Sequence, residues 1–60
     1  MTYIKQIRLE NNLTRKEMAN ILNIAYNNYL RYERGEINVS LKSIKKLKKN
    51  FKNIDANKFF

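Results

Sequence analysis

The chain has 60 residues, and 13 basic against 5 acidic side chains give it a formal net charge of +8. So strong a positive field on so small a chain favours a polyanionic partner, with nucleic acid before an anionic membrane. The absence of cysteine and histidine excludes disulfides, thiolate metal sites and the commonest catalytic base.

Residues 1–60 are expected to form one domain, because so short a chain cannot bury two separate cores. No apolar run approaches the roughly 20 residues of a membrane span, and the N-terminus lacks the basic-then-apolar layout of a signal peptide. The few acidic side chains form no catalytic or metal-ligating set, and no glycine-rich phosphate loop is present. We therefore expect a cytoplasmic protein that is not an enzyme and has no cofactor, metal or small-molecule substrate.

The first two helices are predicted from apolar spacing and from capping residues. A helix over Thr2–Asn11 places two isoleucines on one face, and the asparagines at its end tolerate a left-handed turn. A second helix over Arg15–Leu22 is expected to begin with a capping box, in which Thr14 is the N-cap and Glu17 follows three residues later. Its predicted apolar face consists of Met18, Ile21 and Leu22.

The third predicted helix, Ala25–Glu33, follows a tight turn at Asn23, since asparagine accepts a positive φ at modest cost. Tyr29 and Tyr32 lie three residues apart and are expected to face inward. Gly35 is expected to end the helix in the left-handed conformation. The outer face then consists of Tyr26, Asn27, Leu30 and Arg31, with Asn28 at its margin.

A fourth helix is predicted over Leu41–Asn50, with Ser40 as its N-cap and lysines around an apolar stripe. The stripe is expected to consist of Leu41, Ile44, Leu47 and Phe51. Asp55 is expected to cap a fifth, short helix that carries Phe59 and Phe60. The basic fourth helix is also compatible with an amphipathic helix on a membrane surface.

Two helices joined by a tight turn, the second with polar outward residues, form the helix-turn-helix pattern. The segment IKQIRLENNLTRKEMANILNIAYNNYLRYERGEINVSLKSIKKL, residues 4–47, also resembles the Cro/C1-type helix-turn-helix domain of phage repressors and Xre regulators. The residues that carry the resemblance are Arg8, Leu13, Thr14, Glu17, Ala19, Ile24, Glu33, Arg34, Gly35, Ser40 and Leu41. Two positions depart from the family pattern: Arg15 replaces a frequent glutamine, and Val39 replaces a frequent proline.

The resemblance implies a compact, all-α, five-helix fold of the lambda-repressor type, in which the second and third helices form the helix-turn-helix. It further implies a structural ion pair between Arg8 and Glu33, where the guanidinium fork matches a carboxylate. The third helix would then enter the major groove. Amides suit adenine and a guanidinium suits guanine, so the expected base-contacting residues are Tyr26, Asn27, Asn28 and Arg31.

Phosphate contacts are expected from helix N-termini and nearby cations, because free backbone amides at a helix start attract anions. The expected residues are Thr14, Arg15, Lys16, Arg34, Asn38, Ser40 and Lys42.

The sequence therefore predicts a double-stranded-DNA-binding transcriptional regulator, a repressor that binds a short palindromic operator as a homodimer and is associated with the nucleoid. The Phe59–Phe60 end is expected either to form the dimer contact or to pack over its own core. Two other functions remain open for this fold: a DNA-binding antitoxin of a toxin–antitoxin pair, and a protein-interaction module that has lost DNA binding.

Overall fold

Four α-helices and one short 3-10 helix make up the fold in the computed structural model, which describes residues 1–60. The elements are α1 (Tyr3–Glu10), α2 (Arg15–Leu22), α3 (Tyr26–Glu33), α4 (Leu41–Asn50) and a 3-10 helix (Ala56–Phe59). The all-α class and the helix-turn-helix are confirmed. The predicted fifth helix is a 3-10 turn of four residues. None of the helices has the length and apolar character needed to cross a membrane.

The first three helices end in the same way, on a residue in the left-handed conformation: Asn12 (φ 55°), Asn23 (φ 55°) and Gly35 (φ 73°). At the end of α2, the amide of Asn23 donates to the carbonyl of Asn20, and the next amide donates to the carbonyl of Ala19, each at 3.1 Å. This pair of bonds is the Schellman motif, which satisfies carbonyls left without a helical partner. The predicted turn at Asn23 and the predicted stop at Gly35 are thus confirmed.

Side-chain caps explain where α2, α4 and the 3-10 helix begin. The Glu17 amide donates to the Thr14 hydroxyl at 3.1 Å, and the Thr14 amide donates to the Glu17 carboxylate at 2.8 Å. This reciprocal pair is the predicted capping box. Ser40 accepts a bond from the Ser43 amide at the start of α4, and Asp55 caps the 3-10 helix. The predicted bounds of α2 and α4 are therefore confirmed.

One apolar core joins the four α-helices. α2 packs on α3 and α4, while α1 packs on α3 and on the 3-10 helix. Tyr29 is fully buried and Tyr32 is 8% exposed, as expected from their spacing. The core consists of Ile4, Ile7, Met18, Ala19, Leu22, Tyr29, Tyr32, Val39, Ile44 and Leu47.

The predicted stripe of α4 is wrong at its first member, because Leu41 is 69% exposed. Each residue advances about 100° around a helix, so Leu41 lies about 120° from Leu47, away from the core. Ser43 lies about 40° from Leu47 and is only 2% exposed, so it is part of the buried face. Val39, in the loop before α4, also belongs to the core.

The two phenylalanines at the chain end lie in different environments. The Phe59 ring packs edge-on against Tyr3, with ring centroids 4.9 Å apart, but Phe60 is 81% exposed.

Ile21 is only partly buried, so the inward face of α2 is narrower than expected. α1 and α3 are one or two residues shorter than predicted, a difference usual at helix ends.

Candidate nucleic-acid interface

Polar and aromatic side chains are exposed on the outer face of α3, while its inner face is buried in the core. Tyr26 is 43% exposed, Asn27 and Asn28 are exposed, and the Arg31 side chain is 51% exposed. Asn27 and Arg31 are four residues apart and are therefore neighbours on the helix surface. The structure thus brings the four residues expected to contact bases together on the solvent side of α3, with buried Tyr29 fixing that helix in the core.

The C-terminal half of α3 is tied to the start of α4. The Tyr32 hydroxyl lies 3.5 Å from the hydroxyls of Ser40 and Ser43, and the Ser40 amide donates to it at 3.4 Å. These contacts fix the N-terminus of α4 relative to the outer face of α3. Ser40 and Lys42 are both exposed at this end of α4.

A buried polar cluster around Glu33 fixes the other end of the interface. Arg8 Nε lies 2.5 Å from Glu33 Oε2, and the two side chains are only 8% and 6% exposed. The Tyr29 hydroxyl donates to the same carboxylate, while Arg8 Nη1 donates to the Leu13 carbonyl at 3.0 Å. The Arg15 Nε donates to Glu33 Oε1 at 3.1 Å. The cluster therefore joins α1, α2 and α3 through one carboxylate.

The charges of this cluster stabilise one another. Burial alone would raise the pKa of Glu33, but hydrogen bonds from Arg8, Tyr29 and Arg15 outweigh it, so this pKa lies below its ordinary value. The hydrogen bond to Glu33 raises the pKa of Arg8. Burial, together with the adjacent carboxylate, raises the pKa of Tyr29. At neutral pH the cluster therefore contains an ionised Glu33, an ionised Arg8 and a neutral Tyr29.

The residues expected to contact phosphate lie in two exposed groups, one at the start of α2 and one around the start of α4. Thr14, Arg15 and Lys16 are exposed, although Arg15 is also engaged with Glu33 and its side chain is 46% exposed. Arg34, Asn38, Ser40 and Lys42 are exposed on the other side. A cleft of about 220 Å³ connects α3 to the first group and is lined by Lys5, Arg15, Tyr26, Leu30, Glu33 and Arg34. Its three cations make the edge of α3 electropositive.

Sequence reasoning missed an acidic residue within this basic surface. The Glu36 carboxylate lies 3.8 Å from Arg31 Nε and 3.6 Å from Arg34 Nη1, and all three side chains are about half exposed. The amide of Glu36 bonds back to the carbonyl of Arg31 at 3.0 Å. This is the contact that a Schellman motif makes across Gly35, so the glycine was the signal that predicts where Glu36 lies.

Sequence reasoning also missed that Lys46 has a structural role. Its ammonium group donates to the Leu22 carbonyl at 2.9 Å, at the C-terminal end of α2. A cation at this helix end is favourable, because the last carbonyls carry partial negative charge. Lys46 therefore differs from the other lysines of α4 in being held against the protein.

The comparisons agree with this geometry. A family model described as helix-turn-helix matches residues 4–57, a span that contains every residue of the interface and all of the four α-helices except Tyr3, the first residue of α1. Comparisons with curated proteins and with solved structures gave no match. The matched span covers nearly the whole chain, and α2, the turn at Asn23 and α3 form the corresponding unit. The chain belongs to the Cro/C1-type helix-turn-helix family of DNA-binding regulators.

Proposed function

We propose that this protein is a sequence-specific repressor that reads double-stranded DNA with the outer face of α3 in the major groove. The observation that carries the proposal is that the four expected base-contacting residues are exposed together on α3, while the inner face of this helix is packed in the core. Two adjacent asparagines are poor choices for helix stability alone. Their position on the exposed side of a fixed helix favours a role in recognition.

Each side chain has a contact that its chemistry suits. The Asn27 amide matches the paired donor and acceptor of adenine, and the Arg31 guanidinium matches guanine. Tyr26 offers a ring to a thymine methyl group and a hydroxyl to a phosphate. Asn28, at the margin of the face, is assigned the weakest base contact.

Phosphate contacts from both sides of α3 would hold the helix in register without reading sequence. On one side, the N-terminus of α2 presents Lys16 beside exposed Thr14 and Arg15. On the other side, the start of α4 presents Asn38, Ser40 and Lys42, and Arg34 lies near the end of α3. Each neutralised phosphate releases counterions, so the affinity is expected to fall steeply with salt.

A homodimer follows from the length of DNA that a specific site requires. One recognition helix covers only a few base pairs, and two related half-sites lie about 34 Å apart on one side of the duplex. The domain measures 25 × 22 × 21 Å between Cα atoms, so two copies in contact fit this spacing. Met1 and Phe59 line a mainly apolar cleft of about 270 Å³, and Met1 and Phe60 are more than 80% exposed, which favours the chain end as the dimer contact. Repression then follows where the operator overlaps a promoter.

Selection of bound sites from a randomised duplex pool at near-physiological salt tests this function. We expect a two-fold symmetric motif with guanine and adenine at defined positions. Arg31→Ala should lose the preference at one position of each half-site. As the control, Gln6→Ala changes an exposed residue of α1, outside both the nucleic-acid interface and the chain end, and should return the same motif. A pool that stays random contradicts sequence-specific recognition and leaves only electrostatic binding.

A further inference from the structure

The positive charge of this protein is concentrated outside the helix-turn-helix. Residues 1–36, which contain α1 to α3, hold six basic and four acidic side chains, whereas residues 37–54 hold six lysines and no acidic side chain. The recognition unit therefore has a net charge of only +2, and α4 with its flanking residues has +6. The electrostatic part of DNA binding scales with the phosphates neutralised, so α4 is the main source of positive field.

Three of these lysines form a line along the solvent face of α4. Lys42, Lys45 and Lys49 are spaced by three and four residues, which places them one above another on a helix, and all three are exposed. The opposite face of α4 is buried through Ser43, Ile44 and Leu47. We name the three lysines the α4 lysine stripe. It spans eight residues, and its first and last lysines are about 10 Å apart along the helix axis, a length similar to three base pairs of DNA.

The α4 lysine stripe is not neutralised within the protein. Every ion pair of the structure is made by an arginine, and none involves a lysine of α4. Lys46 is the exception in having a partner, since it donates to a backbone carbonyl. Like charges three and four residues apart destabilise a helix. The stripe therefore opposes the stability of α4 until an anion neutralises it.

We propose that the α4 lysine stripe binds phosphates of the duplex that flanks the half-site read by α3. The inference rests on the proposed function, because it takes DNA as the ligand and α3 as the helix that reads the half-site. The stripe begins at Lys42, beside the α4 N-terminus that Tyr32 fixes against α3, so it continues the interface already described. Lysines act as flexible point charges and follow a backbone without reading bases. The stripe thus lengthens the footprint of each domain beyond the bases it contacts.

The double variant Lys45→Gln/Lys49→Gln tests the proposal, because glutamine retains helix propensity and circular dichroism verifies the fold. Its affinity is measured against salt on two duplexes, the selected motif alone and the same motif extended by about ten base pairs at each end. On the extended duplex, loss of two phosphate contacts should reduce the salt slope by about 1.8. Between about 50 and 200 mM salt the unmodified protein should then lose about 12-fold more affinity than the variant.

On the duplex that carries the selected motif alone, the unmodified protein and the double variant should have the same salt slope. Lys52→Gln is the matched control, because Lys52 is an exposed lysine outside the stripe, in the turn after α4, where it lines a cleft with Glu10 and Asn11 at the end of α1. This variant should leave the salt slope unchanged on both duplexes.

Three results would overturn the proposal. An equal change on both duplexes places the stripe inside the half-site, and no change on either removes it from the interface. Capture of a second, labelled duplex by protein already bound to a tethered one, lost in the double variant, assigns the stripe to bridging of two duplexes. If selection returns no motif, the salt slopes are measured on a random-sequence duplex of about 40 base pairs instead. A slope reduced by about 1.8 in the double variant then supports phosphate binding by the stripe without sequence recognition. An unchanged slope overturns phosphate binding by the stripe.

Discussion

Removing the charge of Glu33 should destabilise the fold far more than removing that of Glu36. Both carboxylates pair with two arginines, but Glu33 is 6% exposed whereas Glu36 is 49% exposed. Glu33→Gln leaves the Arg8 guanidinium buried without a counter-charge, with the Leu13 carbonyl and the glutamine amide oxygen as its only acceptors. An amide also cannot accept hydrogen bonds from two guanidinium groups and a hydroxyl as a carboxylate does.

The magnitude follows from burial. Breaking one side of a buried ion pair costs about 3–5 kcal/mol, and the retained amide oxygen places Glu33→Gln near 3 kcal/mol. That cost lowers the folding equilibrium constant by a factor of about 160. The total stability of a domain this size is about 3–9 kcal/mol, so the variant should retain about 0–6 kcal/mol and is expected to be half unfolded at room temperature only at the lower end of that range. Exposed pairs contribute about 0–1 kcal/mol, and Glu36→Gln should cost about 0.5 kcal/mol.

Urea unfolding followed by circular dichroism measures the free energy of unfolding of both variants. The two values can be compared if the dependence of this free energy on urea concentration is the same in both. Since both substitutions replace glutamate by glutamine opposite arginines, the difference isolates the effect of burial. If the two free energies of unfolding agree within about 0.5 kcal/mol, the buried cluster does not stabilise the fold as argued here.

Three further predictions follow from the structure. Asn23→Ala should cost about 1 kcal/mol in urea unfolding because alanine resists the left-handed conformation, whereas Asn23→Gly should be neutral or slightly stabilising. The pKa of Glu33 lies below its ordinary value of 4.5 in the folded state, so its stabilising contribution is complete above that pH and is lost as pH falls through the lower folded value. Thermal midpoints should therefore decrease below about pH 4.5, and by less in Glu33→Gln. Arg31→Ala should weaken binding to the selected site by about 1–3 kcal/mol and relax one position, while Lys42→Ala should weaken all sequences alike and lower the salt slope by about 1; identical behaviour in competition binding would contradict the division between base and phosphate contacts.

Features of the fold that depend on neighbouring residues could be predicted from the sequence. Thr14 with Glu17 marks the start of α2, and Asn23 marks its end, because caps and left-handed turns are set within a few residues. The inward positions of Tyr29 and Tyr32 follow from their spacing alone. Once Tyr29 and Tyr32 are placed inward, the exposed residues of α3 are those on the opposite side of the helix.

Features that depend on the path of the chain could not be predicted in the same way. The burial of Val39 depends on how the loop before α4 packs against the helices, and the spacing of residues along a helix does not contain that information. The bond from Arg15 to Glu33 joins residues 18 apart, and the bond from Lys46 to Leu22 joins residues 24 apart. These contacts arise where helices cross, so only the packed structure shows which basic residues are already engaged.

The acidic residues near α3 divide the arginines into two groups. Glu33 engages Arg8 within the buried cluster, at 2.5 Å, whereas Glu36 lies more than 3.5 Å from Arg31 and Arg34 on the open surface. A buried, hydrogen-bonded guanidinium is costly to remove, but an exposed pair contributes about 1 kcal/mol or less and is screened by salt. Guanine or phosphate can therefore displace Glu36 from its two arginines, while the first group stays in place. The arrangement makes the fixed arginine part of the scaffold and leaves the loosely paired ones available to DNA.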